Sequence, residues 1–134
     1  MDVTSPDYAE GRILDFEGED KIGTPLLETF PYEGPRQNIR YETQEFSAVC
    51  PYSGLPDMAR LVLEYVPADR IVELKSLKYY IVSFRSVGVF QENATKRIYK
   101  DLWALLNPQR LCVTTVYNTR GGIDATCEIR SDDQ

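Results

Sequence analysis

The residue best suited to covalent chemistry is a cysteine in a turn. Cys50 is followed directly by Pro51, and Gly54 and Pro56 come soon after, so a strand is expected to end here in a rigid turn. A thiol in such a turn is accessible to a substrate, whereas an ordinary cysteine is a buried structural residue. Asp57 stands seven residues after the cysteine and is a candidate acid for a thiol reaction. Alone, it would be interpreted as a turn or strand-start residue.

The absence of histidine narrows the chemistry further. The 134 residues include no histidine, which excludes Ser-His and Cys-His nucleophiles and histidine-based zinc sites. The three cysteines are an odd number at wide spacing and fit neither a disulfide framework nor a CxxC metal site. We interpret them as reduced thiols of a cytoplasmic protein. Cys112 and Cys127 lie within predicted strands and are expected to be structural.

Length and charge limit the classes of function. A chain of 134 residues is one ordinary domain, which excludes separate cofactor and substrate domains. The formal net charge of -6 argues against direct nucleic-acid binding, which requires a basic face. No apolar run is long enough to cross a membrane, and the acidic, polar N-terminus is unlike a signal peptide.

Two strands and two helices are predicted to position the candidate residues. Residues 38–50 alternate as a strand does, but the alternation slips at Gln44 and Glu45, which predicts a β-bulge. Residues 58–66 resume the strand pattern. Helical spacing begins at Glu73, and Gly88 is expected to end or kink this helix. Its apolar stripe consists of Leu74, Leu77, Ile81 and Phe84.

The C-terminal half is predicted to contain a helix and a hairpin. A second helix runs from about Glu92 to a stop at Asn107 and Pro108. Strands over residues 110–118 and 123–130 are joined at Arg120-Gly121-Gly122, whose glycines suit a hairpin turn. The helix seam is Thr95, Ile98, Leu102 and Leu105, and the apolar face of the last strand is Ile123, Ala125, Cys127 and Ile129.

The predicted order is therefore ββααββ. We expect an α+β domain over residues 38–134, with an antiparallel sheet and both helices on one face. Residues 1–37 are rich in proline and glycine and have no sustained period, so they are predicted to form an irregular N-terminal arm.

Four motifs in order resemble the nitrile reductases of queuosine biosynthesis. In the segment from Glu45 to Asp57, the cysteine, both prolines, the glycine and the aspartate match the family signature in register. The second motif spans residues 73–80, which are similar to the family's helix start associated with NADPH. The other two are Phe90-Gln91-Glu92 and Arg120-Gly121-Gly122-Ile123-Asp124. Four motifs in the same order are far more specific than any one of them.

The resemblance implies a tunnelling fold, in which ββααββ subunits close into a ring with sheets inside, helices outside and sites between subunits. A pentamer or a pair of stacked pentamers is expected, with the polar face of the last strand lining the tunnel. The implied reaction is the NADPH-dependent reduction of the nitrile of 7-cyano-7-deazaguanine, a small deazapurine, to the aminomethyl group. Cys50 as a thiolate would add to the nitrile carbon to form a thioimide, and Asp57 would deliver a proton to the nitrile nitrogen.

The resemblance also implies the binding residues. Substrate contacts are expected from Glu92, Gln91, Glu73 and Ser76, and cofactor contacts from Lys75, Ser76, Lys78, Arg120 and Gly121. Four of these residues have a structural alternative. Glu92 would then stabilise a helix dipole, the lysines would form a solvated helix face, and Arg120 would belong to a plain hairpin.

The sequence departs from the family pattern at three positions, and it leaves alternative functions to be considered. Gln91 replaces the usual histidine, Leu74 a common serine and Leu55 a common glutamine. The related amidinotransferase, which adds ammonia to a 7-cyano-7-deazaguanine nitrile on tRNA, lacks the NADPH helix motif, so residues 73–80 favour the reductase. A cyclohydrolase on the same fold would be expected to use zinc and histidine. A non-enzymatic ring-forming binding module is opposed by the cysteine motif alone.

Overall fold

A four-stranded antiparallel sheet forms the centre of the molecule. The computed structural model describes residues 14–134, and residues 1–13 of the predicted arm lie outside this range. The strands are β1 (Thr29–Pro31), β2 (Ile39–Val49), β3 (Pro56–Val66), β4 (Arg70–Val72), β5 (Arg110–Tyr117) and β6 (Thr126–Arg130), and the helices are α1 (Leu74–Val82) and α2 (Gln91–Leu106). The main sheet has the order β2-β3-β5-β6, and β1 pairs with β4 in a separate small sheet. The predicted ββααββ order is confirmed.

The core lies between the helices and one face of the sheet. Alternate residues of β3 and β5 point to this face and are buried. The residues between them are partly exposed in β5, as expected for an antiparallel sheet with one solvated face, while Val62 and Val66 on the other face of β3 are also buried. Helix α2 packs on β5 and β6 and buries Ile98 and Leu102 there. The predicted seam is confirmed except at its end, where Leu106 is buried in place of Leu105.

The predicted bulge in β2 is confirmed. The register with β3 shifts between Thr43 and Phe46, so Tyr41 before the bulge and Phe46 after it lie on the same face. Phe46 is fully buried and packs edge to face on Phe84 at a ring separation of 5.3 Å. The bulge therefore keeps both halves of a long strand on the core.

The prediction that α1 continues to Gly88 is wrong. The helix ends at Val82 and turns follow, because the chain must come back beside the end of β2, where Gly88 bridges to Val49. Gly88 lies against the Phe16 ring, which a Cβ atom would approach to 2.2 Å. Leu74, placed in the apolar stripe, is at the helix start and is 47% exposed.

The last strand is shorter than predicted. Gly121 and Gly122 have φ angles of 59° and 77°, which confirms the glycine hairpin turn. Arg120 and Ile123 close this turn by bridging to each other, so the ladder with β5 resumes only at Thr126. Ile123 is consequently 70% exposed instead of belonging to an apolar strand face.

The arm is less irregular than predicted over the part that the structure describes. Short 3-10 turns cover Glu19–Lys21 and Thr24–Leu26, and β1 follows. Ile22 and Leu27 are buried in the core cluster. The two strands of the small sheet have only three residues each, which is too short to produce a detectable alternation.

Candidate active site

A shallow depression collects half of the residues that the sequence predicted for the site. It has a volume of about 280 Å³ and is lined by Cys50, Asp57, Phe90, Gln91, Glu92 and Arg120. These residues come from four places in the chain: the end of β2, the start of β3, the start of α2 and the turn after β5. The fold thus brings together side chains up to 70 residues apart in sequence, counting from Cys50 to Arg120.

Cys50 is held in a closed turn. Its N–H donates to the Leu55 carbonyl at 2.9 Å, and its carbonyl accepts the Gly54 N–H at 2.7 Å. Gly54 adopts φ of 74°, and a Cβ atom there would come within 2.3 Å of the Leu14 carbonyl oxygen, so the turn needs glycine at this position. The thiol is half-buried and is not part of a disulfide. The predicted accessible, turn-held cysteine is confirmed.

The cysteine turn is attached to the start of α2. The Val49 N–H donates to the Val87 carbonyl at 2.9 Å, and the Val89 N–H donates to the Val49 carbonyl at 3.0 Å. These two bonds set Cys50 beside the first turn of a helix of 16 residues. Unpaired amides and the positive end of the helix dipole meet there, so a negative charge in the depression is favoured.

Asp57 is buried and paired. Only 5% of the residue is exposed, and its carboxylate accepts a hydrogen bond from the Arg120 guanidinium. Arg120 is itself partly exposed, at the base of the glycine turn. The arginine is a charge partner for this buried carboxylate. The carboxylate can therefore accept a proton from a neighbouring thiol and pass that proton on.

Gln91 and Glu92 occupy the first turn of α2. The Gln91 backbone carbonyl accepts the Thr95 hydroxyl at 2.9 Å, and the Glu92 side chain is exposed at the rim of the depression. Phe90, half exposed beside them, lines the same depression and was not proposed from the sequence. It lies in the motif with Gln91 and Glu92, so the motif itself was the available signal.

The residues at the start of α1 lie elsewhere. The Glu73 carboxylate caps the helix by accepting the N–H groups of Lys75 and Ser76, both at 2.8 Å. The Ser76 hydroxyl is buried, donates to the Glu73 carbonyl at 2.7 Å and accepts the Glu28 N–H at 3.0 Å. Both side chains predicted to bind substrate therefore already stabilise a helix start.

Two exposed lysines lie on α1, and one of them lines a second depression. Lys75 and Lys78 are exposed, and Lys78 lines a groove of about 230 Å³ together with Arg85, Ile81 and Leu74. This groove shares no lining residue with the cysteine depression. Arg120, predicted to bind the same phosphates as the lysines, lines the cysteine depression instead. Gly121, also predicted to bind them, follows Arg120 in the glycine turn and is exposed, with nothing within 4 Å of its Cβ position.

Two further properties concern residues 14–134. In this part of the chain, no group of three or more Asp, Glu, Cys or His side chains is arranged to hold a metal ion. None of the helices in the same range is long and apolar enough to cross a membrane.

Comparison with known proteins gives consistent matches. The family model described as QueF-like protein matches residues 56–134. The chain is similar to proteins named NADPH-dependent 7-cyano-7-deazaguanine reductase. Those of Thermotoga petrophila and Thermotoga maritima are 58% identical over 124 residues, which cover 92% of this chain and 90% of each relative. The protein of that name from Caldicellulosiruptor bescii is 49% identical over 119 residues, covering 87% and 91%.

A solved structure shows the same fold. The crystal structure of the archaeosine synthase QueF-Like in the apo form matches with a TM-score of 0.68 and 22% identity, and the match covers 74% of this chain and 96% of that chain. The tunnelling-fold architecture expected from the sequence motifs is thereby confirmed for the single chain.

Proposed function

Because the chain belongs to the QueF-like family, we infer that it is an NADPH-dependent 7-cyano-7-deazaguanine reductase, an oxidoreductase that converts the nitrile of its substrate to an aminomethyl group. Two observations support this conclusion together. The chain is 58% identical to a reductase of this name over nearly its whole length, and one depression holds both Cys50 and Asp57. The amidinotransferase reading is not favoured, since the archaeosine synthase match at 22% identity supports the fold alone.

Cys50 and Asp57 are proposed to carry the chemistry. The Asp57 carboxylate, which is paired with Arg120, accepts the proton of the Cys50 thiol. The sulfur then adds to the nitrile carbon, one C≡N π bond breaks, and Asp57 returns the same proton to the nitrogen. The product of this step is a thioimide on Cys50. The proximity of both groups to the positive end of α2 supports the charge that develops during the addition.

The cofactor is proposed to bind next to basic residues of α1. Lys75 and Lys78 are exposed ammonium groups one helical turn apart, and this donor set suits phosphate. NADPH supplies hydride when it is bound. Arg120 and Gly121 remain proposed contacts of the NADPH phosphates. Ser76, in the α1 motif, also remains a proposed cofactor contact. The Ser76 hydroxyl is already bonded within the chain, so its support is the weakest of the set.

Substrate recognition is proposed to centre on Glu92 and Gln91, with Glu73 and Ser76 as further contacts from the α1 motif. A carboxylate matches the ring N–H and exocyclic amine of a deazaguanine in a bidentate manner. The Gln91 amide, in place of the usual histidine, retains the ability to donate and accept a hydrogen bond. This proposal is supported for Glu92 and Gln91 because they line the depression that contains Cys50.

Replacing Glu92 with leucine is expected to weaken the transition state by about 2 to 5 kcal/mol, since the substrate donors would be left unpaired in the site. Steady-state kinetics should show this as a large fall in kcat/KM for the nitrile. Glu128→Leu is a matched control, since Glu128 is a partly exposed glutamate on the opposite face of the sheet. Unchanged kinetics in Glu92→Leu would return this residue to a helix-dipole role.

Assembly into a ring is proposed as the form that completes the site. Within the described residues, β2 and β6 are the free edges of the main sheet, and unpaired edges favour pairing with another chain. Pairing β6 of one copy with β2 of the next would repeat head to tail and close. A molar mass of five or ten chains in solution would support the ring, and a monomer would exclude it. We further propose a cytoplasmic location, based on three unpaired thiols and the use of NADPH.

The reductase function is tested by its stoichiometry. A nitrile becomes a primary amine by a four-electron reduction, and each hydride carries two electrons, so two NADPH are expected to be oxidised for every amine formed. NADPH absorbance and the aminomethyl product, quantified by chromatography, give the ratio directly. Incorporation of ammonia without NADPH oxidation would favour the amidinotransferase.

A further inference from the structure

A buried tyrosine hydroxyl beside the site has no hydrogen-bond partner within residues 14–134. Tyr117, the last residue of β5, is 5% exposed, and among residues 14–134 its hydroxyl is the buried side-chain oxygen or nitrogen that forms no hydrogen bond. The other two deeply buried tyrosines are paired. The Tyr65 oxygen accepts the Val72 N–H at 3.2 Å, and the Tyr80 hydroxyl donates to Asp101 at 2.7 Å. An unpaired buried hydroxyl is destabilising, so Tyr117 requires a reason beyond packing.

The sheet register places Tyr117 next to Asp57. Tyr117 pairs with Ala59 across β3 and β5, and Asp57 is two residues before Ala59 on the same face. Diagonal neighbours of this kind are within reach of an aromatic side chain. Asp57 is buried on that face as well, so the two side chains share the interior below the depression.

The packing of α2 on β5 gives the same position independently. Thr115, the preceding inward residue of β5, lies against Thr95 of α2 with 2.7 Å between their hydroxyl oxygens. Two residues along a strand cover about 6.6 Å, close to one helical turn. Tyr117 therefore faces the turn of α2 that precedes Thr95, where Gln91 and Glu92 lie. The Thr115 hydroxyl forms its hydrogen bond with Thr95.

The electrostatic environment of Tyr117 makes its hydroxyl a hydrogen-bond donor. Burial raises the pKa of Tyr117, the neighbouring Thr115 hydroxyl lowers it, and the nearby Cys127, Asp57 and Glu92 raise it, so that the net direction is upward. The phenol consequently keeps its proton throughout the neutral range. Asp57 and Glu92 are acceptors, and one Asp57 oxygen is already bound by Arg120.

We propose that Tyr117 is a positioning residue for Asp57: its hydroxyl donates a hydrogen bond to the second carboxylate oxygen when substrate binds and Asp57 transfers the thiol proton. This inference rests on the proposed function of Asp57. Arg120 holds Asp57 from the solvent side and Tyr117 from the interior, so the carboxylate is fixed towards Cys50 during the proton transfer. The bond involves no covalent change in Tyr117, and the proton remains on the phenol oxygen.

The test compares Tyr117→Phe with Tyr65→Phe in the full chain. Both substitutions remove one buried hydroxyl from the same face of the sheet and keep the ring. In Tyr117→Phe we expect thioimide formation to slow about 10-fold or more. This rate is measured from the absorbance of the thioimide in the absence of NADPH. We expect kcat to fall similarly, KM for nitrile and for NADPH to stay within about twofold, and the melting temperature to be unchanged or higher.

Tyr65→Phe is expected to give the opposite pattern. It leaves the Val72 N–H unpaired, so the melting temperature should fall by about 2 to 4 °C while thioimide formation keeps its wild-type rate. A wild-type rate in Tyr117→Phe would overturn the inference, as would a loss of rate accompanied by a lower melting temperature. Failure of the function itself is distinct, since the unmodified protein would then form no thioimide at all.

Discussion

Cys50→Ala is expected to abolish turnover, with kcat at least about 10⁴-fold below that of the unmodified protein. Among residues 14–134, the other residues that line the depression are Asp57, Phe90, Gln91, Glu92 and Arg120, and none of them carries a thiol. The turn is held by backbone hydrogen bonds from Cys50, which alanine retains. The variant should therefore fold and bind substrate but no longer oxidise NADPH. The absorbance of NADPH measures this loss.

Cys112→Ala is the matched control for this substitution. Cys112 is also a half-buried, unpaired thiol, but it lies on the polar face of the sheet beside Glu128, at 3.4 Å. Burial, followed by the Glu128 carboxylate, raises the pKa of the Cys112 thiol, so it is a poor nucleophile at neutral pH. Its variant should keep full activity. If Cys50→Ala retains reductase activity, or Cys112→Ala loses it, the nucleophile has been assigned wrongly.

Asp57→Asn should reduce kcat by about 10² to 10⁴-fold, the range for loss of a positioned proton-transfer group. Asparagine keeps the size and one acceptor of the buried side chain but cannot carry the thiol proton to the nitrile nitrogen. The measurement is the rate of thioimide formation without NADPH, since proton transfer belongs to that step. KM for NADPH should change less than this rate, because Lys78, one of the lysines proposed to bind the cofactor, lines a separate groove.

Asp101→Asn is the matched control for Asp57→Asn and distinguishes an effect on catalysis from an effect on stability. Asp101 is likewise a mostly buried carboxylate with an arginine partner, bonded to Arg97 at 3.0 Å and to the Tyr80 hydroxyl at 2.7 Å. It lies outside the depression, so its variant should lose stability and keep the rate of thioimide formation. Equal losses of rate in both variants would mean that Asp57 acts only through folding.

The elements with clear periodicity could be predicted from the sequence. The strand β2 with its bulge, the strands β3 and β5, and the stop of α2 at Asn107 follow from alternation and from local conformational preference. Asn107 indeed adopts the left-handed conformation, with φ of 42°, that commonly ends a helix. The cysteine turn was predictable for the same reason, because proline and glycine restrict it locally.

What could not be predicted depends on contacts between distant segments. The small sheet of β1 and β4 has no periodic signal of its own, and α1 ends early because Gly88 must pair beside Val49. The partner of Arg120 is another case. A motif next to glycines suggested phosphate binding, whereas the sheet register brings its guanidinium to Asp57 across 63 residues of sequence. The unpaired hydroxyl of Tyr117 is also invisible in a sequence, since a phenylalanine would fit the same alternation.

The most direct test of the account is the mass of the intact protein after incubation with 7-cyano-7-deazaguanine in the absence of NADPH. We expect each chain to gain the mass of one substrate molecule, with the added mass located on the peptide that contains Cys50 and absent from Cys50→Ala. Addition of NADPH should then discharge the adduct as the amine. An unchanged mass, or an adduct that persists in Cys50→Ala, would contradict the thioimide route.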